Sequence, residues 1–263
     1  MNYKNNLQLY QDFFNKNGYL IIKNFFIDNE LELLENFINK IYKIWLKENQ
    51  KAYENNSLVN MSSLTDKKYF LDNEFERVDF FNILTPKKLI NLVNDIFNEK
   101  LYFHNTQLFF NPYNRNKKPY WHRDLQFSDI EDSLQEKEQL NMISLHIRIP
   151  FLNEIGIELI SGSHKRWDTE LEKKVRFDLD NNKNSDFLPN STLINLTRND
   201  VLIFEAQMIH RGNYELNNER KALDICIGKK HFMTKKFIDN KVFPDLIELE
   251  KISNNEWYKN SLL

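Results

Sequence analysis

The hydrophobic pattern of this 263-residue chain changes period near Leu101, and this change constrains the fold more than any other feature. From that residue onward, apolar and polar residues alternate in short runs: LYFHNTQLFF, NMISLHIRI, STLINLT, DVLIFEA and RKALDICIG. Alternation with a period of two is typical of half-buried β-strands, and several such runs separated by turn residues indicate a sandwich or a barrel. We therefore expect a mainly β core over residues 101–235.

The residues before this core show helical spacing instead. Apolar side chains recur every three to four positions in segments 7–14, 31–41 and 89–96, which predicts three helices. We expect Asp28 to cap the second helix and Pro86 to lie in the first turn of the third.

A short apolar run, YLII at 19–22, interrupts the helical segments and predicts one buried strand. The region 1–100 is thus expected to be mostly helical and to pack on the β core, and 236–263 to form a C-terminal tail. Since no linker or repeat divides the sequence, residues 1–263 are predicted to form a single domain.

Two polar stretches lie between the predicted strands, at residues 125–140 and 165–192. Neither has the apolar content expected of a core element, so both are predicted to be long loops. Long loops in a compact domain often serve as lids over a site.

The charge balance excludes several classes of partner. Lys and Arg total 36 against 38 acidic residues, which gives a net charge of −2 and no electrostatic attraction to nucleic acid or anionic lipid.

The single cysteine, Cys226, excludes an internal disulfide and a cysteine-based zinc site. No apolar run approaches the roughly 18 residues of a membrane span, so we expect a cytoplasmic protein without membrane or nucleic-acid partners. The oligomeric state is left open.

Three residues have the types and spacing of a metal site. His122 and Asp124 are two positions apart, so a strand end would direct both side chains to one face. His210 follows the apolar run 201–204 much later in the chain. Two histidines and one carboxylate on one side of an iron form the facial triad of non-haem Fe(II) oxygenases. By itself, a His-x-Asp pair occurs by chance in many chains.

Arg220 is a candidate anchor for a carboxylate. A turn after His210 and a returning antiparallel strand would bring its guanidinium beside the metal. An enzyme that uses 2-oxoglutarate needs a fixed cation for the distal carboxylate, and the planar fork of arginine suits that task. Taken alone, Arg220 is better explained as an ordinary surface cation on an edge strand.

Taken together, four ordered motifs resemble the phytanoyl-CoA dioxygenase family. They are WHRD at 121–124, GIELISGSH at 156–164, NDVLIF at 199–204, and HRG at 210–212 followed by Arg220. The segment GYLIIKNFF at 18–26 is similar to the opening strand and helix of that family, so the resemblance covers nearly the whole chain.

The resemblance implies a double-stranded β-helix, a jelly roll or cupin-like barrel flanked by α-helices. It also implies a dioxygenase that uses Fe(II), 2-oxoglutarate and O2. His122, Asp124 and His210 match the iron ligands of the family, and Arg220 matches its 2-oxoglutarate anchor. Hydroxylation is the default outcome of this chemistry, although desaturation and cyclisation use the same triad. One departure is Gly212, where many members carry Ser or Thr as a further contact to 2-oxoglutarate.

Polar residues on the predicted strands are candidates to contact the ligands. Alternation alone leaves the polar residues of the run 141–149 equally compatible with exposure to water. With the resemblance, the apolar face is expected to meet the helices, which places His146 near 2-oxoglutarate and Arg148 near an anionic substrate group. Gln107, Gln126 and Phe127 are further candidates for substrate binding. Arg123 and Arg211 alternate with the ligands and are expected to point away.

The expected function is hydroxylation of an unactivated C–H bond in a small polar metabolite, such as an amino acid, a phosphonate or a natural-product intermediate, with release of succinate and CO2. A peptidyl or protein hydroxylase of the same fold is an alternative, and a non-catalytic jelly-roll binding module is another. Intact His122, Asp124, His210 and Arg220 argue against the last of these.

Overall fold

In the part of the chain that the structure describes, nine β-strands in two antiparallel sheets form the centre. The computed structural model of the chain describes residues 3–71 and 73–261. Within these ranges the larger sheet has the strand order β1-β7-β4-β9-β3-β2 and the smaller sheet the order β6-β5-β8. The strands are β1 (Tyr19–Ile22), β2 (Asn60–Ser62), β3 (Leu101–Phe110), β4 (Ser144–Pro150), β5 (Glu154–Ile160), β6 (Ser191–Leu196), β7 (Val201–Glu205), β8 (His210–Gly212) and β9 (Lys221–Lys229). The predicted jelly roll with flanking helices is confirmed.

Side chains from both sheets pack against each other between them. Ile157 of β5 and Ile194 of β6 share a buried cluster with Leu202 and Phe204 of β7. The outer face of the larger sheet is covered by helices, so its central strands are buried on both faces. In β4, Leu145 and Ile147 enter the core beneath the helices, and His146 and Arg148 point to the interior between the sheets, as their alternation predicts.

Eight α-helices surround the sheets in the described ranges. They are α1 (Tyr3–Asn17), α2 (Asp28–Asn56), α3 (Glu74–Leu84), α4 (Lys87–Phe97), α5 (Asp132–Glu138), α6 (Glu170–Arg176), α7 (Leu246–Lys251) and α8 (Glu256–Ser261). The three helices predicted from apolar spacing are confirmed as α1, α2 and α4. The predicted caps are one residue off, because Ile27 rather than Asp28 precedes α2 and Pro86 precedes α4. None of these helices is long and apolar enough to cross a membrane.

Gly18 ends α1 and lets β1 follow immediately. Its φ of +82° is in the left-handed region, and its N–H donates to the carbonyl of Phe14 at 2.7 Å. A Cβ at this position would lie 2.5 Å from Nδ1 of His164, so a side chain would also collide with that ring. The helix therefore ends at Asn17.

The two polar stretches are not simple loops. Residues 125–140 contain α5, and residues 165–192 contain α6. The second stretch also supplies Val175 and Leu188 to a buried cluster with Trp121. The prediction that it contributes nothing to a core was wrong, because two apolar side chains placed by one helix and its turns are enough to close this edge.

The segment after residue 236, expected only as a tail, contributes α7 and α8 to the main core. Trp257 and Tyr258 of α8 are fully buried, and Tyr258 packs edge-on against Phe103 of β3. One hydrophobic cluster includes residues of α1, α2, α3, α4, α7 and α8. We therefore propose, as the sequence predicts, that the chain folds as one domain.

Replacing Trp257 with alanine should lower the free energy of unfolding by about 3–5 kcal/mol, because the side chain is fully buried and leaves a large cavity. Urea unfolding of both proteins measures this difference. Leu246→Ala on neighbouring α7 is the matched control, since Leu246 is 72% exposed and its loss should change stability by less than about 0.5 kcal/mol. Equal losses in the two variants would contradict the packing of α8.

Candidate metal and 2-oxoglutarate site

Two histidines are held side by side by the main chain. The N–H of His122 donates to the carbonyl of His210 at 3.0 Å, and the N–H of His210 donates back at 2.9 Å. This isolated antiparallel bridge joins the segment before Asp124 to β8. Their ring centroids are 4.2 Å apart, so the backbone pairing alone brings the two imidazoles into one site.

Asp124 completes the cluster from the start of a short 3₁₀ turn, Asp124–Phe127. Its Oδ1 is 3.7 Å from Nε2 of His122 and 3.4 Å from Nε2 of His210. The three candidate ligand atoms all lie within 4.8 Å of one another. The structure thus brings together the three residues that the sequence predicts, although Asp124 opens a turn instead of ending a regular strand.

Each imidazole presents a free ring nitrogen to this cluster. Nδ1 of His122 is 3.1 Å from the carbonyl of Tyr120, and Nδ1 of His210 is 3.0 Å from the carbonyl of Met208. A carbonyl only accepts hydrogen bonds, so Nδ1 carries the proton and Nε2 keeps its lone pair. Burial lowers the pKa of both rings, that of His210 to about 3, which keeps them neutral.

A chain of buried hydrogen bonds extends from Asp124 away from the histidines. Oδ2 of Asp124 is 2.8 Å from Nε2 of His146, and Nδ1 of His146 is 2.9 Å from Oδ2 of Asp224. Arg148 then donates twice to Asp224, at 2.7 and 3.0 Å. We call this chain of four residues the carboxylate relay.

The relay favours a charged His146. Both ring nitrogens face carboxylate oxygens, which only accept, so both must donate. Burial opposes this charge, but the neighbouring Cys226, Asp124 and Asp224 outweigh it and hold the pKa of His146 well above its usual value. Burial likewise raises the pKa of Asp124, but the nearby imidazoles outweigh it and leave that pKa well below the usual range.

Arg220 lies in the same cavity with part of its guanidinium unpaired. It is only 3% exposed, and its Nε and Nη2 have no hydrogen-bond partner among the described residues. Nε is 3.5 Å from Oε2 of Glu154, which balances the charge. A Cβ at Gly212 would lie 3.0 Å from Nη1, so the glycine that departs from the family pattern leaves room for this side chain.

A family model described as phytanoyl-CoA dioxygenase matches residues 14–222 of this sequence. The chain belongs to the phytanoyl-CoA dioxygenase family. It is accordingly a dioxygenase of a family that uses iron, 2-oxoglutarate and O2. Among curated proteins, no sequence matches the chain.

Solved structures with little sequence identity share the fold of this family member. EctD from S. alaskensis, solved with 2-oxoglutarate and 5-hydroxyectoine, has a TM-score of 0.56 and 13% identity over 87% of this chain and 76% of its own. HygX from Streptomyces hygroscopicus, with nickel and 2-oxoglutarate bound, has a TM-score of 0.58 and 15% identity over 86% and 88%. The 2-oxoglutarate-dependent epimerase SnoN from nogalamycin biosynthesis has a TM-score of 0.52 and 12% identity over 86% and 82%.

The other candidate residues of this dioxygenase divide into two groups. Gln107 and Phe127 line a cavity of about 520 Å3 together with the histidine cluster and Arg220. Gln126 does not line it, because its amide is held by the guanidinium and carbonyl of Arg176. Arg123 and Arg211 lie outside the cavity lining, as predicted, and pair with Asp168 and Glu158.

Two expectations about β4 remain predictions. His146 faces the interior, where its two ring nitrogens contact the carboxylates of Asp224 and Asp124. Arg148 also faces the interior, but Asp224 already engages it through two hydrogen bonds. A buried cation requires such a partner, and the neighbouring strand supplies it.

Asp224 was not identified from the sequence, although a signal was present. In β9, Ala222, Asp224 and Cys226 alternate with three apolar residues, which places a carboxylate on the same buried face as His146 and Arg148. Register then pairs Arg148 with Asp224 and His146 with Cys226.

His104 also lines the cavity of the dioxygenase. It is 2% exposed, next to a β-bulge in β3 that turns both His104 and Asn105 toward the interior. No hydrogen bond to its ring is present within the described ranges. Burial, followed by the charge of His146, lowers the pKa of His104 to about 4.

His104 should make the protein sensitive to mild acid. In the unfolded chain the imidazole of His104 binds a proton near pH 6.5, whereas in the folded state it does so only near pH 4. The free energy of unfolding therefore falls as the pH drops through this window. The expected slope is up to about 1.4 kcal/mol per pH unit. Urea unfolding at several pH values should give a flatter profile for His104→Phe, whereas parallel profiles for the two proteins would contradict the assignment.

Proposed function

We propose that this dioxygenase hydroxylates an unactivated C–H bond of a small polar metabolite at an Fe(II) centre, with 2-oxoglutarate converted to succinate and CO2. The observation that carries the proposal is that one cavity contains both the candidate iron ligands and the candidate anchor for 2-oxoglutarate. His122, Asp124 and His210 converge within 4.8 Å, and the partly unpaired guanidinium of Arg220 lies in the same space.

The donor set fits ferrous iron. Two neutral imidazole nitrogens and one carboxylate oxygen form a facial arrangement of three ligands, which leaves positions open for a co-substrate. The Nδ1 hydrogen bonds of both histidines to backbone carbonyls orient the rings and fix the tautomer that a metal requires.

Arg220 fits the distal carboxylate of 2-oxoglutarate. The unpaired Nε and Nη2 offer two parallel N–H donors, and a carboxylate accepts such a pair with both oxygens. The ring of Phe109 lies 5.4 Å from the guanidinium carbon and restricts its motion. Glu154 beneath it, also without a hydrogen-bond partner among described residues, compensates the charge before the keto acid binds.

When bound, iron with 2-oxoglutarate would supply the activation of O2 that breaks a C–H bond. The chain's own residues then position and shield the reactants. His146 occupies Oδ2 of Asp124, so Oδ1 is the oxygen turned toward the two histidines. The aromatic side chains Tyr120, Phe204 and Phe109 line the cavity and limit access of water to the site.

A direct assay tests this proposal. The protein is incubated with Fe(II), ascorbate and 2-oxoglutarate under air, and succinate is measured with and without candidate metabolites. Succinate formation is expected to accelerate with the true substrate. Its absence under all conditions would favour a non-catalytic module, and acceleration by peptides alone would favour a protein hydroxylase.

The size of the cavity and the solved neighbours support the metabolite over the peptide. A volume of about 520 Å3 is in the range of small-molecule sites. The EctD structure contains the small molecule 5-hydroxyectoine. We further propose that the protein acts in the cytoplasm without a nucleic-acid partner, as its charge balance predicts.

His146→Ala should weaken metal binding by about 10–100-fold, because residues that hold a ligand in place typically contribute that much. Calorimetric titration with Co2+ measures the affinity independently of turnover. His146→Gln keeps an amide donor toward Asp124 and should recover part of the loss. An unchanged Co2+ affinity in both variants would mean that the relay does not position Asp124.

A further inference from the structure

One wall of the cavity consists of uncharged polar side chains. Ser62 of β2 pairs in register with Gln107 of β3, and Asn60 pairs with Phe109, so these four side chains share the face that lines the cavity. Within the described ranges, the side chains of Asn60, Ser62 and Gln107 form no hydrogen bond to the protein. Amides and hydroxyls both donate and accept, which matches the hydroxyl groups of a ligand.

Another part of the cavity lining is aromatic. The ring of Phe127 lies 5.4 Å from that of His122 and 6.2 Å from that of Tyr120. Phe127 is 65% exposed, although a large apolar side chain gains by burial, so its face is open to a ligand beside the metal cluster. A flat ring of this kind packs against the C–H surface of a saturated ring.

The charged side chains that line the cavity already have a partner of opposite charge or an assigned ligand. Arg148 is paired with Asp224, and Lys241 with Asp239 at 2.8 Å. Arg220 is assigned to 2-oxoglutarate and Asp124 to the metal. Among the described residues that line the cavity, no cation or carboxylate remains for a charged substrate, and an unpaired charge buried there is unfavourable.

We propose, on the basis of the function proposed above, that the substrate is an uncharged saturated ring that carries several hydroxyl groups, of the size of one sugar or cyclitol unit. Asn60, Ser62 and Gln107 bind its hydroxyls, and Phe127 packs on its C–H face. Because the cavity of about 520 Å3 also holds 2-oxoglutarate, it accommodates one ring and not a long chain. The proposal thus favours a neutral ring over free amino acids and phosphonates.

Fractionation by charge tests the proposal even while the compound itself is unidentified. Metabolites from the cells that encode the chain are separated at neutral pH into unretained, anionic and cationic fractions. Each fraction is incubated with the protein, Fe(II), ascorbate and 2-oxoglutarate, and mass spectrometry identifies compounds that gain one oxygen atom. The oxidised compound is expected in the unretained fraction and to carry several hydroxyls.

Oxidation confined to the retained fractions, or absent from the unretained one, would overturn the proposal. Succinate formed without added substrate is measured in the same samples. If that background is present and depends on Asp124, the hydroxylase function stands and only the substrate class fails. If the background and all oxidation are absent, both proposals fail together.

Variants of the polar wall link the compound to these residues. Gln107→Glu and Asn60→Asp change shape little but introduce a charge, so each should lower kcat/KM for the neutral compound at least about tenfold. Asn116→Asp is the matched control, since Asn116 is exposed and outside the cavity lining. Thermal unfolding verifies that each variant is folded, and unchanged kcat/KM in both wall variants would contradict the assignment.

Discussion

Replacing Asp124 with alanine is expected to abolish substrate-independent succinate formation and to weaken Co2+ binding by at least about a hundredfold. Asp124 supplies the carboxylate of the three-residue cluster, and its Oδ1 lies within 3.7 Å of both histidine Nε2 atoms. A loss larger than that caused by supporting residues is expected, because the ligand itself is removed. Calorimetry with Co2+ and a succinate assay measure the two effects separately.

The control for this experiment is another aspartate, at an exposed position that has no role in the site. Asp79 on α3 is exposed, and Asp79→Ala should leave both measurements unchanged. Asp124→Asn retains the shape of the side chain and a partner for His146, so it distinguishes loss of the ligand charge from loss of folding. Undiminished Co2+ affinity in Asp124→Asn and Asp124→Ala would place the metal elsewhere.

Replacing Arg220 with glutamine should raise the KM for 2-oxoglutarate by about a hundredfold or more. Two charge-assisted hydrogen bonds to a carboxylate, at about 1.5–3 kcal/mol each, account for a change of this size. Lysine keeps the charge but not the planar fork, so Arg220→Lys should lie between the wild type and Arg220→Gln. Calorimetric titration of the Co2+-loaded protein with 2-oxoglutarate measures the affinity directly.

Removing Arg220 also leaves buried Glu154 with only the more distant Arg148 at 4.0 Å, which can destabilise the fold. The double variant Arg220→Gln with Glu154→Gln removes both charges and isolates the loss of the anchor. Arg115→Gln, an exposed arginine, is the control. A normal affinity for 2-oxoglutarate in the folded double variant would show that another residue holds the distal carboxylate.

Short-range patterns explain why much of the site could be predicted. His122 and Asp124 are two residues apart, and Arg220 follows His210 across one turn, so local spacing already suggests a common location. The strands β3, β4, β6 and β9 were recognisable because alternation places a polar face against an apolar one, and β7 because its apolar residues are continuous. Helices α1, α2 and α4 were recognisable because their apolar residues recur every three to four positions and form one face.

Contacts between distant segments explain what could not be predicted. The choice of Asp224 as partner for both His146 and Arg148 depends on the register of β4 against β9, which no local pattern specifies. Gln126 is adjacent to the cluster in sequence, but the 3₁₀ turn directs it to Arg176. Trp257 and Tyr258 fill the core because the chain returns to β3, although the surrounding sequence is polar.

Because a backbone bridge joins His122 to His210, the positions of these two candidate ligands do not depend on the side chains of the surrounding surface. Two main-chain hydrogen bonds hold these residues together regardless of which side chains occupy the nearby loops. Mutations can therefore accumulate at the rim, in β2 or around Phe127, while the inner coordination geometry is inherited unchanged. Such separation allows descendants of one ancestral catalyst to acquire new specificities through few substitutions.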